Sequence, residues 1–239
     1  MAELQLTSNR KILQLILKLK NIDLVWTGGA NGNWDIVTTG NWINSVPEAE
    51  LFMEDDHVTF NSISSSRAVN VDSGGVEVSG MKVEGGAAYT FSGGDIDILE
   101  PTKTGQTVTG QLQVSGLNTK ATFNNNLTAT KGITIGTGAT VELKGSTISD
   151  MNIVDNGTLI FNRTSTSDYT FGGTISGSGN FVKDGNNTLT LTTENTFTGG
   201  TVINNGTIIL ENDKALGTWT GNPLTEQAGT VTVSGPTSS

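Results

Sequence analysis

From about residue 55 to residue 233 apolar and polar side chains alternate in short runs, among them HVTF, VEVSGMKVEG, YTFSG, IDIL, QLQVSG, ITIGTG, TVELKG, TLIFN, TLTLTT and TIILEN. A period of two places alternate residues on opposite faces of an extended chain, so each run predicts a β-strand with one buried side. Nearly every run ends in Gly, Asn, Asp or Ser, residues that accept tight turns and positive φ.

The segment 1–25 breaks this style, being rich in Leu and nearly free of Gly. Two readings stand there. One is a helix capped by Ser8 or Asn9 with Ile12, Ile16 and Leu19 on one side. The other is a strand in which Leu13, Leu15, Leu17 and Leu19 alternate with the residues between them; the strict period of two favours this one, as an N-terminal cap. As a secretion leader the stretch is degenerate, because Lys18 and Lys20 interrupt the apolar run and no small-residue cleavage site follows.

Self-similarity is clearest among GATVEL, NGTLIF, NNTLTL and NGTIIL, whose shared threonines are Thr140, Thr158, Thr188 and Thr207. The first and last intervals are nearly equal and the middle one is half as long again. A structural turn of about 20 residues, with one longer turn carrying an insertion, accounts for that spacing. Such a turn cannot bury its apolar side alone and must stack on its neighbours, strand over strand at roughly 4.8 Å. The core ladder is expected to contain Ile133, Ile135, Val141, Leu143, Leu159, Phe161, Leu189, Leu191, Ile208 and Leu210. A β-sandwich of hairpins would also show short strands, but not the recurring N-G-T step.

Composition narrows the picture. Aromatic residues make up only 6% of the 239 positions, too few for one thick globular core, and the alternation of the apolar residues argues against disorder despite 31 Gly. A formal charge of -10, without a stripe of Lys and Arg, argues against nucleic acid as a partner. There is no Cys and hence no disulfide or thiolate chemistry. No stretch reaches the roughly 20 uninterrupted apolar residues of a membrane helix.

At Trp26 the sequence reads WTGGANGNWDIVTTGNW, followed by DDHVTF at 55–60. This looks like the W-x-G-G-x-x-G-x-W…N-W block that opens many autotransporter passenger segments, with Trp26, Trp34 and Trp42 as the matching tryptophans. Residues 169–217, YTFGGTISGSGNFVKDGNNTLTLTTENTFTGGTVINNGTIILENDKALG, resemble the autotransporter-associated β-strand repeat nearly throughout. Between them, residues 61–168 share the style without a second full copy. The resemblance implies an all-β, right-handed parallel β-helix, or β-solenoid, of about eight or nine rungs with an N-terminal cap, exported through an outer-membrane barrel. The chain departs from the complete pattern at both ends, with no convincing signal peptide and no C-terminal barrel after Thr232, and the expectation is a passenger fragment, one frame of a split gene, or a repeat-bearing protein that uses another export route. The expected division is an N-terminal cap or degenerate leader at 1–25, a Trp/Gly-rich opening block at 26–60, the β-helix repeat region at 61–233 and a flexible tail at 234–239.

Candidate chemistry is sparse. His57 is the sole histidine and lies beside Asp55 and Asp56, but without Cys or a nucleophile-elbow serine a solvated turn is the expected setting rather than a catalytic base. Asp95 and Asp97 in GGDIDI have the spacing of paired carboxylates, yet a third acidic ligand or a nearby basic residue is not identifiable, so a solvated edge pair is expected. The tryptophans are expected to pack over the first rung rather than to offer a sugar-stacking platform. Sequons at Asn126, Asn156, Asn162, Asn186 and Asn205 arise from composition alone. No catalytic, cofactor or metal site is therefore assigned. The expected role is a structural or adhesin-like passenger segment at the bacterial cell surface, engaging a host-cell, matrix or neighbouring-cell ligand or associating with itself. The alternative is a carbohydrate-active β-helix enzyme of the polysaccharide lyase or hydrolase type.

Overall fold

A computed structural model describes residues 23–29, 31–44, 49–101, 110–163, 165–217, 224–226 and 229–233. The Leu-rich stretch at 1–22 and the tail at 234–239 lie outside these. Among the described residues there are 24 strands and no helix, gathered into sheets of eleven, nine and four strands. Pairing is parallel except around Trp42–Ile43, which runs antiparallel to Asp23–Trp26 and to Ala49–Glu50. The chain is an all-β parallel solenoid of about seven turns, close to the eight or nine rungs expected.

One turn shows how the sequence makes the coil. Lys120–Phe123 lies on one wall, Leu127–Ala129 on the next and Ile133–Ile135 on a third, after which Thr140–Leu143 returns to stack on Lys120–Phe123. We call the wall of Ile133–Ile135 the first, that of Lys120–Phe123 the second and that of Leu127–Ala129 the third. The second wall continues in register as Phe123↔Leu143, Leu143↔Phe161 and Phe161↔Lys183, nearly even steps that match the turn length expected from the repeat.

The threonine spacing has a different cause from the one expected. Thr140 and Thr158 are partners on the second wall, whereas Thr188 and Thr207 are partners on the third. The wide gap between Thr158 and Thr188 is thus no long turn with an insertion: the next-rung partner of Thr158 is Asn180, reached well before Thr188. The same N-G-T step opens strands at different corners, because each corner needs a tight turn followed by a β-branched residue.

Inward-facing residues stack on their own kind. On the first wall Leu24, Val58, Met81, Leu112, Ile133, Ile153 and Ile175 follow one another in register, all buried. On the second wall Phe91, Phe123, Leu143 and Phe161 do the same, with Phe91 and Phe123 stacked at 4.9 Å. Each buried side chain of this size contributes roughly 1.5–3 kcal/mol of transfer free energy. Of the ten expected core residues nine are buried, and Leu210 packs against the core half-buried. The glycine pairs serve stacking space as well as turning: a Cβ on Gly199 would lie 1.8 Å from the Gly179 carbonyl oxygen on the preceding rung.

Trp26, Trp34, Trp42, Phe52 and Phe60 form a closed aromatic cluster at the first rungs, with ring centroids 4.9 Å apart for Trp26 and Trp42 and 5.4 Å for Trp34 and Trp42. The polar residues of the motif lock this cluster. Asn41 donates to the Asn33 carbonyl at 2.7 Å and to Asn31 Oδ1 at 2.9 Å, and its own Oδ1 fills the space where Gly29 lacks a Cβ.

Candidate functional surface

With the inward positions used for stacking, chemistry is left to the outward faces and the corners. The densest polar network sits on the outer face of the second wall, where strand partners Thr122 and Glu142 lie side by side. Glu142 takes the Lys120 ammonium at 2.6 Å, the Asn162 amide at 2.7 Å and the Thr122 hydroxyl at 3.3 Å. Burial pushes its carboxyl up, but Lys120 and Asn162 together hold it below the ordinary value. A carboxylate so paired is a cross-rung clasp, not a free acid or base.

His57 departs from the expected solvated turn. It lies within strand Asp56–Phe60, buried, with Nδ1 3.2 Å from Asp23 Oδ1 on the adjoining strand rather than against its sequence neighbours. Burial lowers its pKa against the raising effect of Asp23. Its environment was illegible because Asp23 and His57 meet only through the pairing of Asp23–Trp26 with Asp56–Phe60.

Asp95 and Asp97 are not brought to one site. Asp95 is exposed in a corner groove of about 550 Å³ that also contains Asp72 and Gly74. Asp97 lies on the outer face of the third wall beside Glu77, whose carboxyl is raised by burial and by the charges of Glu54, Asp55 and Asp97. Among the described residues no group of three or more His, Cys, Asp or Glu has the arrangement to hold a metal ion. The tryptophans Trp26, Trp34 and Trp42 are fully buried and present no face to a ligand.

Four of the five sequon asparagines tie rung to rung. Asn126 Oδ1 accepts from the Thr147 amide at 2.8 Å, Asn156 Oδ1 from the Ser178 amide at 3.1 Å, Asn162 donates to Glu142, and Asn205 donates to Asp184 Oδ1 at 2.8 Å. Asn186 alone among them lies exposed at a corner crevice.

Two charged groups escaped the sequence reading because they occupy positions that the alternation assigns to the core. Asp155 follows Ile135 on the first wall, buried, with Oδ1 accepting the Gly157 amide at 2.8 Å; burial pushes its carboxyl up to about 6. Lys183 follows Phe161 on the second wall, fully buried. Its Nζ donates to the carbonyls of Asp184 and Gly185 at 2.9 and 2.7 Å and to Asn187 Oδ1 at 3.1 Å, and burial brings its pKa down to about 8.

Comparison with protein families places a passenger-associated-transport-repeat at residues 181–210. These residues span strand Thr188–Leu191 and the strands Thr201–Ile203 and Thr207–Leu210 of the coil just described, including Lys183. The chain fits an autotransporter passenger domain. No curated protein and no solved structure matches it.

For a passenger the arrangement is coherent. The residues of the repeat serve stacking here: Thr201 and Ile203 face inward, and the Gly200 amide donates to the Asn180 amide oxygen on the preceding rung at 2.9 Å.

Proposed function

We propose that the chain is a non-catalytic stretch of a surface-displayed passenger, whose outer walls and corners mediate adhesion to a host-cell, matrix or neighbouring-cell ligand or hold neighbouring cells together. The observation that carries this is the passenger repeat at 181–210 folded as integral rungs of a continuous parallel solenoid. A rod of stacked rungs holds its outer side chains in fixed rows, and many weak contacts along such rows add up through avidity. On this reading the tryptophan block covers the first rungs and residues 61–233 form the rod, exported across the outer membrane. The paired state of Glu142 and the burial of His57 against Asp23 favour a scaffold over a hydrolase or lyase.

The test is to fuse the chain between a secretion signal and an outer-membrane barrel in a Gram-negative host that neither clumps nor adheres. Surface protease sensitivity followed by faster settling or retention on epithelial or matrix-coated surfaces is expected. Surface display with no change in settling or retention would remove the adhesive role, and failure to reach the surface would remove the passenger assignment.

A further inference from the structure

Asn-x-Thr triplets begin at Asn126, Asn156, Asn162, Asn186 and Asn205, and the fold leaves one of these side chains in a different state from the rest. We propose that Asn186 is an acceptor for N-linked glycosylation, taking one sugar from a nucleotide-activated hexose bound to a glycosyltransferase.

The chemistry sets the requirement. A carboxamide nitrogen is a poor nucleophile, because its lone pair is shared with the carbonyl. A transferase must therefore reach both amide hydrogens and turn the group. In the step itself the Asn186 nitrogen bonds to the anomeric carbon of the sugar, and the bond from that carbon to the phosphate oxygen breaks. The nucleoside diphosphate leaves with the electron pair, and the amide proton passes to a base of the transferase.

Four of the five side chains are held against this in the folded chain, and all four are half-buried. Asn162 spends its nitrogen on Glu142 Oε1 at 2.7 Å, and Asn205 spends its nitrogen on Asp184 Oδ1 at 2.8 Å. Asn126 is pinned through its oxygen, which accepts from the Ser146 hydroxyl at 3.1 Å and the Thr147 amide at 2.8 Å. Asn156 is pinned likewise by the amide and the hydroxyl of Ser178, at 3.1 and 3.2 Å. Turning either group breaks two hydrogen bonds to the next rung.

Asn186 is exposed, and its carboxamide makes no hydrogen bond among the described residues. The corner beneath it is nonetheless fixed. Buried Asn187 donates to the carbonyls of Ser165 and Ser167 at 3.1 and 3.4 Å and accepts from Lys183 at 3.1 Å. Gly185, on the other side, has no side chain to obstruct an approaching enzyme. Thr188, the third member of the triplet, has its backbone amide on Asp168 Oδ1 at 2.7 Å, while its hydroxyl has no partner among the described residues. The corresponding hydroxyl after Asn126, that of Thr128, lies 3.2 Å from the Ser149 hydroxyl. Acceptor nitrogen and triplet hydroxyl are thus both unspent at Asn186. This proposal stands apart from the adhesive role, since it concerns the purified chain and requires neither export nor cells.

The experiment incubates the purified, folded chain with UDP-glucose and a soluble bacterial asparagine glucosyltransferase that modifies synthetic peptides of all five triplets. Intact mass is expected to show one hexose per chain, and peptide mapping to place it on Asn186. Labelling there is expected to be at least about tenfold faster than at any of the other four. Asn186→Gln is expected to abolish the label. Thr188→Val, which removes the hydroxyl and keeps the β-branched shape, is expected to abolish it too, while Thr188→Ser retains it, all with unchanged melting temperatures. A folded chain left unlabelled at Asn186, another of the five labelled as fast, or a label that survives Thr188→Val would overturn the assignment.

Discussion

Lys183 stands directly on Phe161 in the inward ladder of the second wall, a cation where the rungs below place aromatic and aliphatic side chains. It is tolerated because all three ammonium protons find oxygens at the corner, so the cost is that of the charge and not of unmade hydrogen bonds.

The linkage follows. The folded-state pKa of Lys183 is lowered to about 8 from 10.5, so between these values the unfolded chain binds more protons and stability rises with pH. Lys183→Met is expected to abolish that alkaline rise and to leave the protein equal or about 1 kcal/mol more stable at pH 7, because a well-packed apolar side chain replaces a buried charge that has no carboxylate partner. Urea melts at pH 7 and pH 10 check both parts; a mutant that keeps the wild-type pH slope would show that the lysine does not titrate as described.

Asp155 works with the opposite sign. Its folded-state pKa is raised to about 6 from 3.8, so its stabilising contribution is fully present below about pH 3.8 and is lost as pH rises through 6. Asp155→Asn keeps an oxygen for the Gly157 amide and is expected to gain about 2 kcal/mol at pH 7 and none at pH 3.5. Thermal melts across that window decide it.

Asn195 joins three rungs at once. Its oxygen accepts from the Ile175 amide at 2.7 Å and its nitrogen donates to the Ala215 carbonyl at 2.6 Å, one partner on the rung before and the other on the rung after, with all three residues buried. Truncation orphans one backbone donor and one acceptor, so Asn195→Ala is expected to cost about 2–4 kcal/mol. Hydrogen exchange should show the loss at the Ile175 amide first. Protection unchanged there would argue against the clasp.

Gly29→Ala tests the lock on the aromatic cluster. The new methyl would lie 1.8 Å from Asn41 Oδ1, at a backbone φ of +40°. Displacement of Asn41 should loosen the packing of Trp34 and Trp42, reduce the near-UV dichroism of the tryptophans and destabilise the chain by about 1–3 kcal/mol. An unchanged spectrum would mean that the asparagine is dispensable.

Much of the fold was legible because alternation reports directly on burial: Ile133, Ile135, Leu159 and Phe161 face inward as their period of two requires. The assignment of strands to walls was not. Thr158 and Thr188 look alike in sequence because every corner asks for the same turn residues, and only register shows that they lie on different walls. Asp155 and Lys183 were hidden for a related reason. A charged residue within an alternating run is read as outward unless its hydrogen-bond partners are known, and those partners, Gly157 and Asn187 among them, lie beyond the strand at a corner. The separate standing of Asn186 was equally invisible, since the partners that engage the other four sequon asparagines lie on neighbouring rungs.

Phe91 and Phe123 are stacked in register although the chain between them is much longer than that between Leu143 and Phe161, neighbours on the same wall. The surplus falls between Ile98 and Leu112, and by Leu112 the chain is in step again, paired to Met81 on one side and Ile133 on the other. A lineage carrying such a scaffold can lengthen, shorten or exchange its corners one at a time while every buried row stays in place. Chain length at one corner is thereby uncoupled from the register of the buried rows on either side of it.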